Sequence, residues 1–240
     1  MRNVVYFFCI MLFLFSCKKE TNNDPLALPD SYSNQAPGKS ANDMLTAAKY
    51  AALQVQIQYM PGYAFAPETI TSLTNFLNSI CNKPGGITIT QSQIDITGDS
   101  VDDDHIKAIE KKYRTVYTNG TTLAVYVLVT DGFNTTTDSS ITNYDGYTFR
   151  NTSICVFGKA VSYYTSTHAQ LVNSECTVIQ HEFGHVMGLV NDGSPMQRPH
   201  EDAAHQHHCN NMNCLMYYIG SGSLKLDSNC VSDLKANGSK

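Results

Sequence analysis

Along the chain, apolar Leu53, Val55, Ile57 and Tyr59 alternate with Gln54, Gln56 and Gln58. That two-residue period predicts a strand with one buried face, ended by Pro61-Gly62. From Pro67 the period changes. Ile70, Leu73, Phe76, Leu77 and Ile80 recur at helical spacing, with proline tolerated in the first turn and Pro84-Gly85-Gly86 closing the segment. Ile87, Ile89 and Ile94 suggest a second strand or strand pair. Asp102, Asp103 and Asp104 then precede Ile106, Ile109 and Tyr113, so their negative charge sits at a helix N-terminus, where the macrodipole favours it. Leu123 to Val129 is apolar and β-branched, the signature of a central strand, and residues 131–145 read as a polar loop. Two short strands, Tyr147 to Phe149 and Ile154 to Phe157, lead into a last helix from about Ser174 to Leu189. Helices placed between strands imply crossover connections, hence an α/β (α+β) domain with a mixed, mostly parallel sheet and helices packed on it.

The first residues change the picture of where this domain resides. Arg2, an apolar run from Val4 to Phe15, and Leu14-Phe15-Ser16-Cys17 have the form of a bacterial lipoprotein signal whose cleavage leaves Cys17 as the lipid attachment point. The run is shorter than the about 20 residues a spanning helix needs. Residues 1–16 are therefore expected to be a signal peptide, residues 17–42, rich in Asn, Pro, Ser and Asp, a flexible tether, and residues 43–240 a single domain. The expectation is an exported protein held at a membrane by its N-terminal lipid. Net charge is -5 with only 15% charged residues, and no basic cluster follows the two lysines after Cys17, which excludes nucleic acid as an expected partner.

The chemistry gathers in the last helix. His181-Glu182-Phe183-Gly184-His185 puts two imidazoles one turn apart on one face, both able to reach one ion, with Glu182 beside the metal's open position. That spacing with a neighbouring glutamate is one that hydrolytic zinc sites use, and Gly188 lets the helix stop and the chain turn back beneath the metal. A third donor must follow. Asn191 is a poor zinc ligand, whereas His200, His205, His207 and His208, with Asp192 and Asp202, all stand downstream as candidates.

The continuation His208-Cys209, four residues, Cys214-Leu215-Met216 resembles the archaemetzincin branch of the metzincin peptidases, in which HExxHxxGxx is followed at once by HC, four residues and CxM. The resemblance covers Val178 to Tyr218 and implies that residues 191–207 are an insertion before the third ligand. It implies His181, His185 and His208 as ligands of one catalytic Zn2+, Glu182 as general base, and Met216 as the methionine of the turn beneath the metal, while His205, in the same segment, stays the alternative third ligand. It further implies a zinc peptidase acting on peptide or protein substrates, with a short strand ahead of the site serving as a substrate edge. Tyr218, two residues after the methionine, resembles the tyrosine that other metzincin branches place near the metal, with Tyr217 as its competitor. The family's downstream CxxC, which holds a second zinc together with the first two cysteines, is absent, since only Cys230 follows. A Cys209–Cys214 disulfide is expected instead, as an oxidising compartment permits. Two other functions compete with the peptidase. One is a surface binding or adhesion module that keeps the fold without turnover, and the other is a hydrolase of non-peptide amides.

Overall fold

The computed structural model describes residues 24–98, 100–134, 145–163, 165–220 and 222–240. Cys17 and the apolar run before it lie outside the described residues, as do residues 135–144 of the expected polar loop. The elements are α1 (Ala41–Leu45), β1 (Ala52–Tyr59), α2 (Pro67–Ile80), β2 (Ile87–Gln93), β3 (Ser100–Val101), α3 (Asp103–Tyr113), β4 (Thr122–Thr130), β5 (Phe133–Asn134), β6 (Gly146–Arg150), β7 (Ser153–Phe157), α4 (Gly158–Tyr163), α5 (His168–Val186) and α6 (Ser228–Ala236).

The main sheet has the order β2-β1-β4-β7-β6. Its first four strands are parallel, and β6 runs antiparallel to β7 along one edge. Strand β4 is central and is buried from Leu123 to Thr130, which explains its unbroken apolar run: a strand covered on both faces has no polar side to alternate with. One face carries the larger core, where Leu53, Val55, Ile57, Val125, Val127, Ile154 and Val156 meet Leu73 and Leu77 of α2 and Ile179, Phe183 and Val186 of α5. The other face packs Tyr126, Leu128, Cys155 and Phe157 against Ile106 and Ile109 of α3. Asp102 caps α3, its carboxylate accepting from the His105 N–H at 2.8 Å.

Three expectations need correction. The chain from Asp24 to Asn42 is not a free tether but is docked on the domain. Leu28 and Ser33 are buried, the Arg150 guanidinium donates to Leu26 O and to Asn34 Oδ1, and Asn151 Nδ2 donates to Tyr32 O and Ser40 Oγ. Polar side chains supply that docking, so an apolar period does not reveal it. The metal-motif helix begins at His168, not Ser174, because Thr167 and Gln170 form a capping box that starts it two turns earlier. Nor is it the last helix. α6 follows, capped by Asp227, whose side chain accepts from the Asn229 and Cys230 N–H groups.

Candidate metal centre

Helix α5 ends in a Schellman motif. The Leu189 N–H donates to Gly184 O at 3.0 Å, the Gly188 N–H donates to His185 O at 2.9 Å, and Gly188 takes φ +71°. A side chain at 188 is excluded twice, since a Cβ there would also stand 2.6 Å from Ser194 N and 2.8 Å from Ala41 Cβ. Val190 and Asn191 continue in left-handed conformations and turn the chain back along the helix.

That return brings His208 to the helical pair. The ring centroids of His181, His185 and His208 are 4.9, 5.2 and 5.1 Å apart, and their ligating nitrogens fall within 4.8 Å of one another. Nε2 of His181 lies 3.1 Å from Nε2 of His185. Two nitrogens at about 2.0–2.1 Å from one tetrahedral ion sit about 3.3 Å apart, so the pair is already at coordination spacing. His181 Nδ1 is 2.8 Å from Leu215 O and His208 Nδ1 is 2.9 Å from Gln206 O. With Nδ1 as the donor in both, each Nε2 keeps its lone pair free for a metal. Burial and the neighbouring His208 push His181 down to about 4, burial and the other two histidines depress His185 well below its usual value, and burial lowers His208 as well. All three are neutral at pH 7, the form that binds zinc.

Glu182 sits beside them with its carboxyl buried. Burial raises it to about 8, against the lowering effect of its hydrogen bonds with Thr148, and a cation at the imidazoles would draw it down again. Beneath the cluster, Met216 is fully buried, and a Cβ on Gly184 would stand 2.2 Å from its sulfur. The glycine inside the His-Glu motif is thus the space that the methionine occupies.

No family model matches the chain, and no curated protein sequence matches it. Among solved structures, archaemetzincin from Methanopyrus kandleri is similar with a TM-score of 0.51 at 12% identity, over 78% of this chain and 96% of that one. Archaemetzincin from Archaeoglobus fulgidus complexed with malonate gives 0.44 at 15% identity, over 75% of this chain and 99% of that one. Metalloproteinase-II from Bacteroides fragilis gives 0.43 at 16% identity, over 90% of this chain and 58% of that one. The chain shares the fold of the Methanopyrus kandleri archaemetzincin.

Within that fold, His205 does not join the trio. Its ring stacks on Tyr218 with centroids 3.5 Å apart, its Nδ1 lies 3.2 Å from Asp202 Oδ1, and Tyr217 packs against Tyr218 from beside it at 4.8 Å. Tyr218, 37% exposed, is therefore held by the loop that carries His205. His207 is turned away towards Glu201 and Val190 O.

The expected Cys209–Cys214 disulfide is not formed, and all six described cysteines are free. Both sulfurs instead face a common centre. His200, Cys209, Asp227 and Cys230 place donor atoms within 4.8 Å of one another, and Cys214 Sγ lies 3.6 Å from Cys230 Sγ. His200 Nδ1 is 3.4 Å from Cys209 Sγ and 4.0 Å from Cys230 Sγ. The three cysteines are fully buried and His200 is 1% exposed. Hydrogen bonds with the Cys209 and Cys230 thiols lower the Cys214 thiol from its ordinary value, helped by the Asp227 and Met216 N–H groups at 3.3 and 3.5 Å from its sulfur. On the far side of the imidazole, His200 Nε2 lies 2.7 Å from buried Asp233 Oδ2, the carboxylate–histidine arrangement that fixes a metal-binding tautomer. Asp227 is already engaged as the α6 cap and by Asn211 Nδ2. His200, Cys209 and Cys230 are thus candidate donors for a second ion, with Asp227 and Cys214 beside them as candidates for a fourth.

Proposed function

We propose that this chain is a zinc-dependent peptidase, with His181, His185 and His208 as ligands and Glu182 as the proton carrier. The observation that carries the reading is the convergence of three neutral imidazoles beside a buried glutamate, with no fourth protein donor among the described residues. A site with three protein ligands keeps a position for water and substrate, whereas a purely structural zinc has four ligands and needs no base.

When bound, a zinc ion supplies Lewis acidity at the scissile carbonyl and lowers the pKa of a water towards neutrality. Glu182 takes the proton of that water as it attacks the carbonyl carbon, and gives it to the amine nitrogen as the C–N bond breaks. The backbone carbonyl of Leu215 and that of Gln206 keep His181 and His208 in the tautomers that expose Nε2. Among the described residues strand β6 pairs only with β7, which leaves its outer edge unpaired beside α5. An extended peptide adding to that edge by backbone hydrogen bonds would lie across Glu182.

A second zinc belongs to this reading as a structural ion, bound by His200, Cys209, Cys214 and Cys230. Its four donors leave no open position, so it supplies rigidity and no chemistry.

The test is a panel of quenched fluorescent peptides and non-peptide amides offered to the zinc-loaded protein and to Glu182→Gln. Expected are cleavage of peptides by the first and a loss of several orders of magnitude in the second, with zinc retained. Full activity in Glu182→Gln refutes the assigned base, and metal without turnover on any substrate supports the binding module instead.

A further inference from the structure

Strand β6 grips the base from above, and its sequence is built to do so. Gly146 and Thr148 pair with Val156 and Ile154, which face α5, while Tyr147 and Arg150 pair with Cys155 and Ser153, which face α3. Tyr147 accordingly donates its hydroxyl to Asp103 Oδ1 at 2.6 Å, and Arg150 Nε lies 3.2 Å from Glu110 Oε2. In a regular strand positions 146, 148 and 150 would share one face. The register irregularity between Thr148 and Arg150 admits Phe149 as an extra residue and sends Arg150 to the opposite side. Thr148 is thereby the last residue of β6 to face α5.

Both α5-facing residues meet Glu182. A Cβ on Gly146 would stand 3.3 Å from Glu182 Cγ and 2.8 Å from Val178 Cγ1, so only glycine leaves room for the stem of the glutamate. Two residues on, Thr148 Oγ1 lies 3.0 Å from Glu182 Oε2 and 3.0 Å from Glu182 O. The Thr148 backbone N–H also favours the carboxylate, and no side chain among the described residues hydrogen-bonds Oε1.

We propose that Thr148 is a positioning residue for Glu182, its hydroxyl fixing Oε2 against the edge strand so that Oε1 is the oxygen presented to water and substrate. This rests on the peptidase reading given above and deepens it. The hydroxyl donates its proton to Oε2, which leaves Oε1 to take the proton from water and to return it to the leaving amine. The same strand that offers its edge to the peptide thus sets the aim of the base, coupling substrate alignment to proton transfer through one side chain.

Two measurements test it. In the zinc-loaded protein, Thr148→Val keeps the shape and removes the hydroxyl. It is expected to lower kcat about tenfold, within the share that a positioned acid or base contributes, with KM and zinc content unchanged and with Thr148→Ser restoring kcat to within about threefold of wild type. In the metal-free protein, Thr148→Val should lower the melting temperature by about 2–4 °C when position 182 is Glu, the shift expected for one net hydrogen bond in a domain of this size. In a Glu182→Met background it should lower it by clearly less. A kcat within twofold of wild type in Thr148→Val, or no rescue by serine, overturns the positioning role. Equal melting shifts in the two backgrounds overturn the contact itself. If the wild-type protein cleaves nothing, the function has failed, and the melting cycle alone still decides whether Thr148 and Glu182 are coupled.

Discussion

The two candidate centres meet at one peptide bond, for His208 belongs to the first and Cys209 to the second, yet they are constructed in opposite ways. Two donors of the first come from one helix, and its imidazoles are half-buried. The second is assembled from the inserted segment, the methionine turn and α6, and its cysteines and histidine are sealed from solvent. Three nitrogens with a base nearby can do chemistry, and three thiols with an imidazole can only hold. On the proposed reading, a second metal bound at Cys209 would anchor the residue next to His208 and so steady the third ligand.

The largest effect is expected from breaking that anchor. Cys230→Ser should release the second metal and lower the melting temperature by more than 5 °C, since about 1 kcal/mol corresponds to about 2–4 °C in a domain of this size and a structural metal contributes several. Catalytic zinc affinity should fall with it as His208 loses its anchor. Metal analysis and a melting curve on the same sample check both, and unaltered zinc content in Cys230→Ser would break the distinction between the centres.

A smaller effect separates the histidines. His208→Ala should weaken zinc at the first centre by more than the about 10–100-fold that loss of an outer partner costs. His205→Ala should disturb only the stack on Tyr218 and leave metal content unchanged. Competition titration with a chelator reads the difference, and the reverse ranking would assign the third ligand wrongly.

How far the sequence discloses each centre follows from the same contrast. His181, Glu182 and His185 are legible because helical periodicity converts spacing directly into geometry. The strands β1 and β4 and the helix α2 are legible for the same reason, through periods of two and 3.6. The second centre is not. Its fourth donor, His200, precedes the cysteines, and loop residues have no period that turns separation into distance, so Cys209 and Cys214 with a lone Cys230 look like an incomplete set better closed by a disulfide. The docked segment from Asp24 was hidden likewise, because Asn34, Ser40 and Asn151 hold it through hydrogen bonds and a hydropathy pattern has no mark for a satisfied polar contact. α6 shows too few buried positions, chiefly Cys230, Asp233 and Leu234, to announce a helix. The early start of α5 was signalled by Thr167 and Gln170, three apart, ahead of any apolar period.

The smallest of the expected effects concerns the floor that the two centres share. Gly184→Ala would force its new methyl against the Met216 sulfur, costing about 1–3 kcal/mol as overpacking does. A melting temperature lowered by several degrees, with the second metal retained, is the expected reading, and an unchanged one would mean that the methionine turn gives way freely.

The most direct test of two unlike centres is a crystal structure of the zinc-loaded protein with anomalous scattering recorded on both sides of the zinc edge. The expected result is two peaks per chain, one bonded to His181, His185 and His208 alone among protein groups, the other enclosed by His200, Cys209, Cys214 and Cys230. A first site that is empty, or closed by a fourth protein donor, would contradict the catalytic assignment.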